Sequence, residues 1–488
     1  EGDPKVRVLD PSCGSGTFLV LALARVQRWL ERNFENAPPS HDVARLAAKN
    51  IQGFDLNPLA VLAARTNFVI QFYDLFDYRG TLEVPIYLCD SVLTPSEYGP
   101  TEQGELFDKP VPVPTSARIF HVPREVTTDR NTLAKYCNIL AEYARSGSGF
   151  TADDFLTQCR AQGVLVSESV KNQHKQLFDD IRALDKDRRN GVWARFIKNA
   201  FAPVFLKNER VDLVVGNPPW VNWESLPGRM EAAVEEGEQP NYRQQIAEVF
   251  KRYGLFSLSG SAGRLGGGKK DLSMLFVYAC KDHYLNDGGT LAFIITQTVF
   301  KTKGAGDGFR RFEYTENGDS NGKTVYLNVR GVDDLSDFQP FEGATNRTAI
   351  FVCRRARKPV KPPYPYTVWT KTRRGRLATD ETLGEVRHAT RRQKMGAIPV
   401  DPEKPTSPWL TAPKVALLAL RKVRGKSAYR AHAGACTWLN GVYWVRILRE
   451  VPGGVLIENL HDVGKIKVDK VQCAVERDLL YPLLRGRD

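Results

Sequence analysis

The sequence has no apolar run long enough to cross a bilayer. Its longest, "FLVLALA" (18–24) and "LAFIITQTVF" (291–300), fall well short of the roughly 18–20 residues a membrane helix needs. No contact with a membrane is expected, and no basic-apolar leader opens the chain. Eight cysteines are present but scattered. Without a C-x-x-C pair or histidines at ligand spacing, neither a disulfide framework nor a metal site is expected, which suits a reducing cytoplasm. There is no internal repeat, no paired-carboxylate-plus-lysine nuclease signature, no G-x-G-x-x-G fingerprint and no Gly-Lys-Ser/Thr P-loop. "EGDPKVRVLD" lacks an initiating Met and enters a strand almost at once, so residues upstream of it are expected.

What is there is a chain of 488 residues, 42% hydrophobic, with a formal charge of +13. That length supports a large core and two or three domains. The charge is concentrated: residues 354–430 hold 20 Lys and Arg against 5 acids, and the remainder is near neutral. The stripe "RRARK" (354–358), "KTRRGR" (371–376), "RRQK" (391–394) and "RKVRGK" (421–426) suits a polyanion, bound in a salt-dependent way. A merely solvated basic surface is the alternative.

Short apolar runs alternate with helical patterns over residues 1–90: "VRVLD" (6–10), a helix from about Thr17 to Asn33, "IQGFD" (51–55), a helix through 58–76, and "PIYLCD" (85–90). This is βαβ patterning, and it predicts an α/β, doubly wound, mostly parallel sheet. Each strand ends in an acid. In such sheets ligands sit at the carboxyl ends of strands, so Asp10, Asp55 and Asp90 are expected to line one crevice. Residues 91–210 read as a long helical insertion. The sheet resumes over 211–357 with "VDLVVGN" (211–217), a helix near 272–286, and strands at 288–300, 323–332 and 347–355, for about seven strands in all. "KPVKPPYPYTVW" (358–369) reads as a Pro-rich linker, making 358–488 a basic segment and the start of a second domain.

"DPSCGSGT" (10–17) is a glycine-rich turn from the first strand into a helix, where Gly14 and Gly16 allow left-handed dihedrals and close ligand approach. Followed by "GFDLNPLAVLAARTN", "CDSVL" and "GNPPW", it resembles the ordered motifs of S-adenosylmethionine-dependent N6-adenine DNA methyltransferases of the gamma arrangement. Such enzymes include those of large restriction-modification and phage-defence (DISARM- or BREX-like) systems. The resemblance covers roughly residues 5–355. It implies a Rossmann-like methyltransferase fold, S-adenosyl-L-methionine as cofactor, double-stranded DNA as partner, and other defence-system subunits as further partners. It also implies that Asp10, Ser12, Gly14, Gly16 and Phe18 shape the methionine end of the cofactor site. Asp55 would hold the ribose hydroxyls, Leu56 would flank the purine, Asp90 would accept from its amino group, and Ser91 would sit beside it. Segments 429–447 and 480–488 resemble the start of a target-recognition region, expected here as a partial C-terminal domain.

In "NPPW" (217–220), the Asn217 side-chain oxygen and the Pro218 carbonyl can accept the two hydrogens of an exocyclic amine and aim its lone pair at a methyl group. This is positioning and electrostatic preorganisation rather than base catalysis. Pro218 and Pro219 fix φ behind the strand end. Trp220 offers a face for an extruded base. "QPFEGATNRTAIFV" (339–352) resembles the family's motif with an aromatic before a strand, and the resemblance implies a second stacking face at Phe341; Phe338 is a competing choice, and an ordinary core aromatic at a strand start is the alternative. Asp271 is either a site residue or a loop acid, and "GRLGGGKK" (263–270) and "GAGDGFRRF" (304–312) are either DNA-closing loops or plain surface. The same motif also occurs in enzymes that methylate RNA or protein nitrogens, and a non-catalytic DNA-recognition subunit is a third reading.

Overall fold

The computed structural model describes residues 2–483 except 34, 81, 96–108, 116–117, 146, 187–191, 227–241, 256–270, 304–305, 317–321, 338–339, 342–345, 373–380, 423–436, 438 and 465. Two compact units divide the chain, Glu1–Arg424 and Gly425–Asp488.

In the first unit, strands β1 (Val8–Asp10), β2 (Ile51–Asp55) and β3 (Ile86–Leu88) precede a two-stranded hairpin of β4 (Val111–Pro114) and β5 (Ile119–Val122). The main sheet then continues with β6 (Val211–Gly216), β7 (Leu285–Thr296), β8 (Glu313–Thr315), β9 (Thr324–Asp334) and β10 (Thr348–Ala356). It ends with β11 (Tyr364–Lys371), β12 (Thr390–Pro399) and β13 (Trp409–Ala412). The order is β13-β12-β11-β9-β10-β7-β6-β1-β2-β3, with β8 on β9. From β3 to β7 every pairing is parallel, and β10 runs antiparallel between β7 and β9.

Two expectations change here. Among the described residues the sheet has eleven strands, because β8 and β11 to β13 extend the expected seven, and only the β3-to-β7 half is parallel throughout. The boundary expected at 358 also moves. "YPYTVWTK" is rich in aromatic and β-branched residues, and it pairs with β9 and β12 rather than forming a polyproline linker, so the first unit runs to Arg424.

Helix α1 (Thr17–Arg32) follows the glycine turn, α2 (Ser40–Asn50) leads into β2, and α3 (Pro58–Leu75) follows it. Asn57 caps α3, accepting from Leu59 and Ala60 N–H, with proline at its first turn. At Gly16 φ is 88°, and a Cβ there would sit 3.2 Å from Ala64 of α3, so glycine permits both the turn and the α1–α3 approach. The helix Leu272–Tyr284 is buried along its whole length, as expected for a helix between packed layers.

The insertion has its own core, in which Phe120, Tyr136, Phe155, Phe178 and Ile197 are buried together. His174 is fully buried there between Tyr136 Oη (3.0 Å) and Glu125 Oε1 (2.8 Å), a satisfied polar link of the kind interiors require. In the second unit, β14 (Val445–Val451), β15 (Gly454–Asn459) and β16 (Gln472–Val475) form an antiparallel sheet. No helix among the described residues is long and apolar enough to cross a membrane.

Candidate functional site

The parallel strands end at a common rim, and a cavity of about 1520 Å³ opens there. Its wall brings together Ser12, Asp55, Leu56, Asp90, Ser91, Asn217 and Pro219. The other expected residues lie behind or beside it. Asp10 is buried, at 1% exposure, beneath Pro11 and Ser12. Gly14, Gly16 and Phe18 shape the loop and α1 without lining the cavity, and Pro218 is buried under Pro219.

Short hydrogen bonds fix the loops. Gly14 N–H donates to Asp55 Oδ2 (2.9 Å) and Asn57 N–H to Asp55 Oδ1 (2.8 Å), which orients the carboxylate between two strand ends. The Ser91 hydroxyl donates to the Pro11 carbonyl (2.5 Å), and Tyr284 Oη donates to the Ser91 carbonyl (2.7 Å). Asp90 Oδ1 accepts from Val92 and Leu93 N–H (2.8 and 2.9 Å), and its Oδ2 accepts from Tyr242 Oη (2.9 Å). Burial raises the Asp90 carboxyl above its ordinary range, against the pull of these donors.

Asp10 is different. Its Oδ1 accepts from Ser12 N–H (3.1 Å), but among the described residues Oδ2 has no hydrogen-bond partner, and neither does the buried Ser12 hydroxyl. Burial pushes the Asp10 carboxyl up to about 8; the Ser12 N–H opposes this and the nearby Asp55 charge adds to it. Gly216 shares the spot, since a Cβ on it would come within 2.5 Å of Asp10 Oδ1. The glycine before Asn217 therefore keeps room for an acid on the neighbouring strand.

Unsatisfied buried polar atoms are rare in folded chains. A buried acceptor and a hydroxyl without partners, beside a glycine loop and a carboxylate aimed at the rim, fit the amino-acid and ribose ends of S-adenosylmethionine.

Trp220 follows the prolines. Its indole N–H donates to the Ile294 carbonyl of β7 (3.2 Å), and its ring meets Phe341 edge to face, centroids 5.3 Å apart at 82°. The two rings expected to stack on a base thus touch each other and leave no parallel slot between them. Phe338 lies outside the described residues.

Asp271 is a helix cap. It accepts from Ser273 N–H (3.0 Å) and from the Ser273 hydroxyl through one oxygen, and from Thr296 Oγ1 (2.6 Å) through the other. "GRLGGGKK" lies outside the described residues, as do Tyr429 and Trp438 of the tail. In "GAGDGFRRF", Arg310 is buried and bound to Asp307 (2.7 Å) and the Thr406 and Thr302 carbonyls, so it holds the fold instead of facing a phosphate. The basic stripe is likewise uneven. Arg355 is buried against Asp287 (2.8 Å) and Glu316, whereas Arg391, Arg392 and Lys394 of β12 are exposed.

Sequence reasoning missed Tyr242, whose hydroxyl reaches Asp90 across 152 residues of chain, and the insertion's share of the cavity wall. Neither carries a local motif.

Comparisons with known proteins give the family. Residues 49–323 match the Eco57I restriction-modification methylase family, and the chain belongs to that family. A 115-residue stretch is 30% identical to the adenine-specific methyltransferase PglX of Streptomyces coelicolor, covering 22% of this chain and 9% of that protein. Among solved structures, the chain is similar to a nuclease-deletion mutant of the Type ISP restriction-modification enzyme LlaGI in complex with a DNA substrate mimic. That match has a TM-score of 0.40 and 14% identity, over 83% of this chain and 24% of that one. It is similar also to the ATP-dependent Type ISP enzyme LlaBIII bound to DNA, with a TM-score of 0.42 and 12% identity, over 84% and 20% of the two chains. The chain thus spans a quarter or less of the relatives named here.

Proposed function

We propose that this chain transfers a methyl group from S-adenosylmethionine to the N6 amine of an adenine flipped out of a specific double-stranded DNA site, marking self DNA in a bacterial defence system. One observation carries the reading: Asn217 and Pro219, at the end of β6, open onto the same cavity as Ser12, Asp55 and Asp90. Membership of a restriction-modification methylase family supports DNA as substrate, and the exposed Arg391, Arg392 and Lys394 of β12 support a polyanionic partner.

The cofactor supplies an electrophilic methyl group when bound. The chain's residues do the rest by binding and positioning. Ser12 would offer its hydroxyl to the methionine portion, with the Asp10 carboxyl directly behind it acting through its charge on the cationic end, and Asp55, held by two N–H donors, would present its remaining lone pairs to the ribose diol. Asn217 Oδ1 and the Pro218 carbonyl accept the two amine hydrogens, so that the nitrogen lone pair faces the methyl group; the prolines keep this geometry from relaxing. Because Trp220 and Phe341 touch in this state, the base reaches its stacking position as the rings part.

The test is transfer of labelled methyl groups to DNA, RNA and protein in parallel, with the products hydrolysed and separated. N6-methyladenine from DNA is expected. Asn217→Ala should reduce the rate by roughly 100- to 1,000-fold while leaving cofactor affinity within about two-fold. Label in RNA or protein alone, or full activity in Asn217→Ala, would overturn the reading.

A further inference from the structure

At about 1520 Å³ the cavity exceeds the roughly 300–1,000 Å³ of ordinary ligand pockets. Part of the excess is bounded by the insertion. Val113 and Thr115 at the end of β4, and Trp193, Phe196 and Ala200 of the helix Trp193–Ala200, line it beside Leu88 and Asp90. The spacing of those three puts them on one face of the helix.

This wall is docked and held. The helix packs against β3, Lys198 pairs with Glu83 (3.4 Å), Arg130 donates to Tyr87 Oη (3.1 Å), and Lys207 donates to Thr94 Oγ1 (2.9 Å). Trp193 is steadied by Phe120 and Phe196, at ring separations of 5.8 and 6.2 Å. Both Trp193 and Phe196 stay half-buried, with surface left for a ligand.

Position in the sheet selects the occupant. β1 and β2 lie between β6 and β3, which at about 4.8 Å per strand puts the wall roughly 14 Å from the Asn217 end of the rim. That is too far to touch a base whose amine is held by Asn217, but it is where a nucleoside extending from Asp55 past Leu56 arrives. Asp90 is already engaged by two N–H groups and the Tyr242 hydroxyl, so hydrogen bonding alone is a poor source of purine affinity there. We infer that Trp193 and Phe196 form the stacking surface for the purine of S-adenosylmethionine, which makes the insertion part of the cofactor site. This rests on the proposed function, and it gives the insertion a role that the shared motifs do not.

Binding of S-adenosylhomocysteine, measured by calorimetry, separates the two claims. No binding by the unaltered protein would sink the cofactor assignment itself. Binding by the unaltered protein, with Kd raised at least about five-fold by Trp193→Ala and by Phe196→Ala, is the result expected from base–aromatic stacking; unchanged Kd in both would overturn the inference alone. A second measurement needs no variant. Photolabelling the unaltered protein with an 8-azidoadenine derivative of the cofactor should mark the peptide spanning 192–200, and labelling confined to residues 51–60 and 86–93 would overturn the inference.

Discussion

Asp10, buried at the end of β1, and Asp271, half-buried at the cap before the helix Leu272–Tyr284, each sit beside a strand end, and desolvation raises both carboxyls above their ordinary range. At Asp271 both oxygens are taken, by Ser273 and Thr296. At Asp10 one oxygen has no partner among the described residues, and the adjacent Ser12 hydroxyl has none there either. A raised carboxyl pKa is therefore shared by a structural acid and a candidate binding acid. What separates them is leftover hydrogen-bonding capacity, which a fold tolerates only at a cost and a ligand can use.

The contrast can be broken in four ways. Asp271→Ala has the largest expected effect: it removes a helix cap and orphans Thr296, and it should lower stability by about 2–4 kcal/mol in urea unfolding, with cofactor Kd nearly unchanged. A matching loss of affinity would make Asp271 a site residue after all. Asp10→Asn should do the reverse, weakening S-adenosylmethionine binding roughly 10- to 100-fold while stability stays within about 1 kcal/mol; calorimetry and unfolding on the same sample decide it. Gly216→Ala forces a methyl group against Asp10 Oδ1 and should cost about 1–2 kcal/mol of overpacking, with a smaller loss of affinity than Asp10→Asn.

The smallest effect is the pH dependence. With the free Asp10 carboxyl near 8, a cationic ligand favours its charged form, so affinity for S-adenosylmethionine should rise by up to about ten-fold between pH 7 and 9. S-adenosylhomocysteine, which lacks the sulfonium, should show a shallower rise. Stability runs the other way. A raised folded-state pKa favours the native state fully below the ordinary aspartate range, and that contribution is lost as pH climbs through about 8. Parallel pH profiles for affinity and stability would remove Asp10 from the account.

Much of the parallel half of the sheet was legible because its signals are local. "IQGFD" matches β2 end for end, and acids closing successive β runs marked the rim where Asp55 and Asp90 meet. The other half, where antiparallel pairings mix with the parallel β9–β11 pair, was not. Prolines near 362–365 masked the β-favouring residues of "YPYTVWTK", and its pairing with β9 depends on a strand more than thirty residues earlier. Helix α2 lacked a clear entry signal, because Pro39 stands at its cap position with no side-chain bond. The site divides the same way. Asp10, Ser12 and Asn217 sit in short motifs, whereas Tyr242, Trp193 and Phe196 reach the cavity only through long-range packing. The aromatic residues Trp220 and Phe341 could be chosen from sequence, but their mutual edge-to-face contact could not, since it depends on how two loops settle together.

The indole N–H of Trp220, tied to the Ile294 carbonyl, also has an optical consequence. A ring anchored at its nitrogen and flanked by one phenyl edge emits from a single, defined environment. Any event that moves Phe341 aside or brings a base onto the indole face should alter that emission without a label. Subtracting the spectrum of Trp220→Phe isolates this signal from the other seven of the eight tryptophans, so stopped-flow fluorescence could time the arrival of a base at the rim separately from methyl transfer.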